Sequence, residues 1–392
     1  MISKESFQCR PMPEILFGAG RLAEAGSLVR RLGMGRVLLV TDPGVEDAGH
    51  TERLLRTLIQ SGVQVSIFDA VEENPTTRTA RNCAEAAKEF SVDGFVGLGG
   101  GSAIDAAKAG NFLFTNGGEM AHFKGYGKAV SPLLPLVAIP TTSGTGSDCQ
   151  SYAVIADEST HEKMACGDPT ALPRISLLDP LLTETQPPAV AARVAMDAIS
   201  HAVESYVCNV STPHSRLFAR EAFRWLASSV MHLAESEPGL EARSKLQLGA
   251  SYAGIAIENS MLGAAHASAN PLTARYDVPH GQAVGVMLPA VIRYNGEKTE
   301  AAERYAELAG YLGDSWSELS GTAALAGWIE QLLVFLGLGR SLAELGLPGD
   351  VLETLAEEAS TQWTGRFNPR PVNADALLEI YRESFTPRDV VA

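Results

Sequence analysis

The pattern of hydrophobic and polar positions changes character about halfway along the chain. In the first half, short aliphatic runs alternate with stretches whose apolar residues recur at helical spacing. The runs "RVLLVTD" (36–42), "VQVSIFDA" (63–70), "DGFVGLGGGS" (93–102) and "PLVAIPTT" (135–142) predict strands, and residues 52–62, 79–91 and 103–114 predict helices. Strands that alternate with helices of this length indicate βαβ units and a parallel sheet, with ligands bound at the carboxyl ends of the strands.

After Pro187 and Pro188 the pattern is helical almost throughout, as in residues 191–207, 240–260, 322–337 and 374–385. We therefore predict two domains with a boundary near residue 186. We expect residues 1–185 to form an α/β domain, a parallel sheet flanked by helices, and residues 186–392 to form an all-α domain.

Composition and charge narrow the class of partner. The chain has 392 residues, of which 45% are hydrophobic and 20% charged, and its formal charge of −15 argues against a nucleic-acid partner. Five cysteines at wide spacing, with no C-x-x-C pair, fit reduced thiols in the cytoplasm. The N-terminal stretch has no apolar core, and no window approaches 18 uninterrupted apolar residues, so we expect neither a signal peptide nor a membrane partner.

Two small-residue loops follow predicted strands. Glycine lets the backbone approach a ligand closely and a helix N-terminus attracts pyrophosphate, so the cluster Gly99, Gly100, Gly101 and Ser102 suits a dinucleotide. Its spacing is not G-x-G-x-x-G, and a purely structural turn stays open. In "IPTTSGTGSD", the hydroxyls of Thr141, Thr142 and Thr145 suit the same nucleotide, with solvated turn chemistry as the alternative. Asp42 ends a strand where an acid favours NAD over NADP, or it is simply a cap.

The helical half contains a candidate metal site. In "MDAISHAVESY", Asp197 and His201 lie about 40° apart around the helix axis and about 6 Å along it, so both can face one point. A buried histidine with its hydrogen-bond partner is the alternative for such a pair. His266 and His280 lie in a downstream segment that is poor in charge, and the "VPHG" turn predicts His280 at a loop apex. Three imidazoles and one carboxylate form a suitable four-ligand set for a divalent first-row metal.

The motifs "GGGSAIDAAKA", "PTTSGTGSD", "MDAISHAVESY", "AAHASANPL" and "VPHGQAVGVMLP" together resemble those of the iron-containing (group III) alcohol dehydrogenases, and the resemblance covers the whole chain. It implies that residues 1–185 are an α/β dinucleotide-binding domain and residues 186–392 an all-α metal-binding catalytic domain, with the active site in the cleft between them. By motif, the metal ligands would be Asp197, His201, His266 and His280. The glycine cluster would hold the pyrophosphate, and the threonine loop would lie beside the nicotinamide. Asn74 in "ENPTT" and Lys163 in "HEKMACGDP" would lie near the nucleotide, and the acid at Asp42 would favour NAD.

One position departs from the family pattern. Many members carry a second histidine four residues after the ligand in "H-x-x-x-H-P", and this chain has Asn270 there. That histidine is commonly invoked in proton relay. Because an amide does not exchange a proton near neutral pH, the relay must use water, the cofactor ribose or another side chain.

The resulting prediction is an enzyme that transfers a hydride between NAD(H) and a small primary alcohol or aldehyde. Its cofactors would be NAD and Fe²⁺, with Zn²⁺ as the other cation that this donor set accepts. The resemblance also implies a homodimer or a higher homo-oligomer. Three alternatives stay open: a zinc-dependent polyol (glycerol-type) dehydrogenase, a lyase-type relative that uses NAD transiently, and a non-catalytic NAD-binding module with a structural metal.

Overall fold

The computed structural model describes residues 6–160, 162–234 and 238–388. The chain forms two compact units. One is Pro11–Gln186, and the other contains the chain from Pro187 onward together with Arg10. The sequence prediction assigned Arg10 to the first domain. In the structure its backbone N–H donates to Asn259 Oδ1 at 2.7 Å and its guanidinium lies 3.3 Å from Glu258, which explains its place in the second unit.

The first unit contains a six-stranded parallel sheet. Its strands are β1 (Glu14–Phe17), β2 (Arg36–Val40), β3 (Gln64–Phe68), β4 (Gly94–Gly99), β6 (Leu136–Pro140) and β9 (Ile175–Leu178). They lie in the order β1-β9-β6-β4-β2-β3. The helices of this unit are α1 (Ala25–Arg31), α2 (Pro43–Asp47), α3 (His50–Gln60), α4 (Thr77–Phe90) and α5 (Gly101–Asn116). These elements confirm the predicted α/β class.

Both faces of this sheet are buried. Along β2, Val37 and Leu39 belong to one apolar cluster and Leu38 and Val40 to another. Alternate residues of a strand point to opposite faces, so each cluster marks one covered face. This explains why the sequence shows continuous aliphatic runs here rather than alternation.

A second, three-stranded sheet was not predicted. It consists of β5 (Gly125–Tyr126), β7 (Tyr152–Ala156) and β8 (Lys163–Gly167), in the order β5-β8-β7. Strands β7 and β8 pair antiparallel as a hairpin. Its strands are short, and polar residues such as Lys163 weaken their apolar pattern.

The strand order indicates where a ligand crevice is expected. From β2 the chain passes to β3 on one side, and β4 then pairs with β2 on the other side. Crevices form at such a reversal, outside the carboxyl ends of the strands. Gly99 lies opposite Pro140 in the register of β4 and β6, so the loops after these two strands emerge at the same edge.

The second unit is helical, as predicted. Its helices are α6 (Pro188–Val207), α7 (Pro213–Ser229), α8 (Leu240–Glu258), α9 (Ala264–Tyr276), α10 (His280–Gly296), α11 (Thr299–Ala309), α12 (Gly321–Phe335), α13 (Leu352–Ser360) and α14 (Ala374–Phe385). They share one apolar core that includes Met196, Leu272 and Met287. Within the described ranges, none of the helices has the length and apolar character that crossing a membrane requires.

Helices α6 and α10 approach each other closely. A Cβ atom on Gly281 would lie 2.0 Å from the carbonyl oxygen of Arg193, so only glycine fits there. This close approach brings the first turn of α10 beside the middle of α6, where Asp197 lies.

Candidate functional site

One face of helix α6 carries three polar side chains into the core of the helical unit. Asp197, His201 and Glu204 follow one another at four- and three-residue spacing, and they are 5%, 5% and 3% exposed. The Oδ1 atom of Asp197 lies 3.3 Å from Nε2 of His201. Ionisable groups are rarely buried to this extent unless they pair or bind a metal.

Helices α9 and α10 bring two more imidazoles to the same carboxylate. His266 Nε2 lies 3.5 Å and His280 Nε2 lies 3.9 Å from Asp197 Oδ1. The ring centroids of His201 and His266 are 4.9 Å apart, and those of His266 and His280 are 5.4 Å apart. Four side chains from three helices thus converge on one point.

The structure corrects one detail at His280. The sequence predicted this residue at a loop apex, but it is the first residue of α10. Pro279, which precedes it, has an extended backbone and starts the helix. His280 is also the most accessible of the four, since 27% of its side chain is exposed, against 5–7% for the other three.

The four residues fit a divalent cation. The ligand atoms of Asp197, His201 and His266 all lie within 4.8 Å of one another. Among the described residues, the buried atoms Asp197 Oδ1 and His266 Nε2 have no hydrogen-bond partner. Buried polar atoms without a partner carry a desolvation cost, which a coordinated ion would remove. A set of three nitrogens and one oxygen suits first-row divalent metals.

Charge coupling shifts the ionisation of this cluster. Burial by itself would raise the pKa of Asp197, but His201 and the two other imidazoles outweigh burial and hold that pKa well below its usual range. Burial would lower the pKa of His266, but the carboxylates of Glu204 and Asp197 raise it to about 9. The metal-free cluster therefore retains a proton near neutral pH, and a metal would compete with that proton.

Sequence reasoning missed Glu204. Its Oε2 lies 2.5 Å from His266 Nδ1, and its Oε1 accepts a hydrogen bond of 2.7 Å from the backbone N–H of Ala265. The available signal was its position seven residues after Asp197, on the same face of one helix. Without the packing of α9 against α6, that spacing alone does not reveal the contact.

Asn270 has a partner of its own. It lies one turn after His266 on α9, and its Nδ2 donates to Gln362 Oε1 at 3.0 Å. The structure thus gives this amide a bond to a neighbouring side chain. That the proton relay uses water, the cofactor ribose or another side chain instead stays a prediction.

The glycine and threonine loops meet at the carboxyl edge of the parallel sheet. Thr141 donates its backbone N–H to Gly99 O at 3.0 Å. A Cβ atom on Gly101 would lie 2.5 Å from Thr145 Oγ1, and one on Gly100 would lie 3.5 Å from the side chain of Thr142. Gly101 and Ser102 begin α5, and Gly100 supplies no side-chain cap to the amides of that first turn. A long helix that begins in this way suits a pyrophosphate.

A fully buried lysine, also missed from the sequence, supports the threonine loop. The ammonium group of Lys108 on α5 donates to the carbonyl oxygens of Ser147, Gln150 and Tyr152 at 2.6, 2.8 and 2.8 Å. The Asp105 carboxylate lies 3.7 Å away. These bonds hold the end of the threonine loop, at Ser147, and the residues that follow it.

The other predicted nucleotide residues lie on two further parts of this unit. Asp42 follows β2, and its Oδ1 accepts from the backbone N–H of Val45 at 3.1 Å, so it caps α2. Asn74 is exposed with a left-handed backbone (φ 57°). Its successor Pro75 accepts from Ala156 N, and Ala156 lies opposite Lys163 in the small sheet. Their roles in nucleotide binding stay predictions.

Comparison with known proteins gives a consistent result. The family described as iron-containing alcohol dehydrogenase matches residues 12–180, and its C-terminal family matches residues 191–385. Alcohol dehydrogenase 4 of Schizosaccharomyces pombe is 33% identical over 94% of this chain and 87% of its own length. The NAD-dependent methanol dehydrogenase of Bacillus methanolicus is 30% identical over 95% of this chain and 98% of its own.

Solved structures agree with the sequence matches. The crystal structure of a 1,3-propanediol oxidoreductase superposes with a TM-score of 0.93 at 31% identity, covering 97% of this chain and all of the other. The resemblance seen in the sequence motifs is thereby confirmed. The chain belongs to the iron-containing alcohol dehydrogenase family.

Proposed function

We propose that this protein is an NAD-dependent, iron-containing dehydrogenase that transfers a hydride between NAD(H) and a small primary alcohol or its aldehyde. The observation that carries this proposal is the convergence of three imidazole Nε2 atoms within 3.9 Å of the buried Asp197 Oδ1. The family and the two loops at the sheet edge support it.

Asp197, His201, His266 and His280 would hold the metal. Asp197 contributes negative charge, and the imidazoles contribute neutral donors from three helices. A bound divalent cation supplies Lewis acidity, which polarises a carbonyl or lowers the pKa of an alcohol. Fe²⁺ is the cation that the family suggests, and Zn²⁺ accepts the same donor set.

The first unit would bind NAD, which is the hydride carrier of the reaction. The first turn of α5, with Gly99, Gly100, Gly101 and Ser102, would take the pyrophosphate. Thr141, Thr142 and Thr145 would line the nicotinamide side, and Asp42 would accept hydrogen bonds from the ribose. Asn74 and Lys163 would complete the nucleotide environment. Because the amide of Asn270 does not exchange a proton near neutral pH, the proton would leave by another route.

Elemental analysis with a substrate panel tests the proposal on protein purified without exposure to air. We expect about one iron per chain, NAD-dependent oxidation of small primary alcohols, and loss of activity with a chelator that Fe²⁺ reverses. Bound zinc with a preference for polyols would favour the polyol dehydrogenase instead. NAD binding without turnover of any alcohol or aldehyde, at full metal content, would contradict an enzymatic role.

We also propose a homodimer or higher homo-oligomer in the cytoplasm. All five cysteines are free thiols, and Cys83, Cys149, Cys166 and Cys208 are buried, which suits a reducing compartment. Light scattering on the purified protein measures the oligomeric state, and a monomeric mass would contradict that part of the proposal.

A further inference from the structure

Glu204 links helix α6 to a candidate metal ligand on helix α9. It projects from α6, and its side chain is 4% exposed. One carboxylate oxygen, Oε1, accepts from the backbone N–H of Ala265, the second residue of α9. The other, Oε2, lies 2.5 Å from Nδ1 of His266, the third residue of α9.

The N-terminus of α9 offers a backbone N–H donor and space for this carboxylate. Gly263 precedes the helix and provides no side-chain cap. A Cβ atom there would lie 3.0 Å from Glu204 Oε1 and 2.9 Å from Asn368 Oδ1, so glycine leaves room for both side chains. Asn368 Oδ1 accepts from the backbone N–H of Ala264 at 3.2 Å. The positive end of the helix dipole then offsets part of the cost of burying the Glu204 charge.

The carboxylate determines which nitrogen of His266 faces the cluster. A carboxylate can only accept at this position, so His266 Nδ1 carries the hydrogen and points toward Glu204. The other nitrogen, Nε2, lies 3.5 Å from Asp197 Oδ1. A histidine ligand held by a carboxylate at its second nitrogen has a fixed ring orientation and tautomer, and it is a more basic ligand.

We propose that Glu204 is a positioning residue of the metal centre: it fixes the orientation and tautomer of His266 so that Nε2 serves as the ligand atom. This inference rests on the proposed metal centre. Glu204 itself does not touch the metal or the substrate. It acts through His266 and, in the same contact, completes the N-terminus of α9.

The test is Glu204→Gln, measured as the dissociation constant for Co²⁺ in competition with a chelator and as the visible spectrum of the Co²⁺ form. Glutamine keeps the volume but offers one acceptor oxygen and a donor NH₂ group. Either Ala265 N–H or His266 Nδ1–H therefore loses its acceptor. We expect the dissociation constant to rise by about 10- to 100-fold and the spectrum to change.

Two control variants separate positioning from stability. Glu258→Gln makes the same change at another buried glutamate of this unit, whose partner is Arg10 at 3.3 Å. It should leave Co²⁺ affinity unchanged within about twofold, well below the 10-fold lower bound for loss of an outer-shell partner. Asn368→Ala removes the acceptor for Ala264 N–H but leaves the bond between Glu204 and His266 in place, so it should lower the melting temperature and largely preserve Co²⁺ affinity.

The outcomes distinguish this inference from the proposed function. Failure of the wild-type protein to bind one Co²⁺ per chain would overturn the metal centre itself. Normal binding by the wild type together with unchanged affinity in Glu204→Gln would overturn only the role of Glu204. Should Glu204→Gln not fold, ¹⁵N spectra of the imidazoles in the Zn²⁺-loaded wild type decide the question. We expect the His266 hydrogen on Nδ1, and a hydrogen on Nε2 would overturn the inference.

Discussion

At the scale of single residues, the candidate metal ligands Asp197, His201, His266 and His280 hold one another in place. Asp197 lies within 3.3–3.9 Å of three imidazoles, and Glu204 contacts His266 from the opposite side. Removing Asp197 or Glu204 would take a carboxylate partner away from the buried imidazole of His266, which is destabilising.

The raised pKa of His266, about 9 in the metal-free protein, predicts the pH dependence of metal binding. Below that pH a metal must displace a proton, so the apparent affinity should fall by about tenfold per pH unit for that proton. Chelator competition between pH 5 and 9 measures this. Full retention of affinity at pH 5 would contradict it.

The same shift has the opposite effect on the metal-free protein. The pKa of His266 is about 9 in the folded state and 6.5 in the unfolded chain, so the folded state holds the proton more tightly. The stabilisation is therefore complete below about pH 6.5 and is lost as the pH rises through about 9. Melting temperatures of the chelated protein across this range measure the loss, and stability that rises from pH 6.5 to 9 would argue against it.

Asp42 allows cofactor choice and helix capping to be tested separately. Asp42→Asn keeps the cap on Val45 N–H but removes the charge that would repel a 2′-phosphate. We expect the ratio of kcat/KM for NAD over NADP to fall at least about tenfold, or about 1.4 kcal/mol, with little change in stability. Asp42→Ala should show the same cofactor effect and a loss of about 0.5–2 kcal/mol in stability. An unchanged ratio in both variants would exclude Asp42 from cofactor selection.

At the scale of elements, the proposed nucleotide site at the carboxyl edge of the parallel sheet depends on how closely the glycine loop and the threonine loop pack. Gly101→Ala would place a Cβ atom 2.5 Å from Thr145 Oγ1. Helix propensity alone favours alanine at this position, so weaker NAD binding would have to come from displacement of the threonine loop. We expect the dissociation constant for NAD to rise at least about tenfold, equivalent to about 1.4 kcal/mol.

Calorimetric titration with NAD measures the effect of Gly101→Ala. Gly239→Ala is the matched control, because Gly239 has a φ of −63° and a Cβ atom added there would meet no atom of the described residues within 4 Å. Equal NAD affinity in the two variants would show that the packing of the loops does not govern binding.

Helix α5 supports the same edge through Lys108. Lys108→Met leaves three carbonyl groups without their donor and Asp105 without its counter-charge. We expect the free energy of unfolding of this unit to fall by about 3–5 kcal/mol and NAD to bind more weakly. Lys124→Met is the control, because its ion pair with Glu162 is half exposed and should contribute at most about 1 kcal/mol. Urea unfolding compares them, and equal losses would contradict the structural role of Lys108.

At the scale of the whole molecule, the two compact units carry different chemistry. The glycine and threonine loops belong to Pro11–Gln186, and the candidate metal ligands belong to the helical unit. A ligand stabilises the segments that bind it and slows their local opening. NAD should therefore slow amide hydrogen exchange in residues 97–103 and 139–147, and metal should slow it in residues 197–204 and 264–268.

Hydrogen-exchange mass spectrometry with each ligand alone measures this division. The Asp197→Ala variant provides a control, because it should lose the protection by metal and keep the protection by NAD at residues 97–103. Protection of the glycine loop by metal alone, with none at residues 197–204, would contradict the assignment of sites to units.

The sequence by itself determined the class of fold and pointed to the candidate metal ligands and nucleotide loops, though not to Glu204 or Lys108. Aliphatic runs, helical periodicity and two small-residue loops predicted the parallel sheet and the helical half, because these signals are local. The motif of Asp197 and His201 also lies within one helix, so its geometry follows from helical spacing. The short hairpin of β7 and β8 escaped prediction because its pattern is weak.

The tertiary structure alone decided what converges on these local features. Glu204 contacts His266 across 62 positions of sequence. Lys108 bonds to Ser147 and Tyr152 across 39 and 44 positions. Neither contact has a local sequence signal. Each depends on the packing of elements that are distant in the chain, and that packing is set by the buried surface of the whole unit rather than by any one segment.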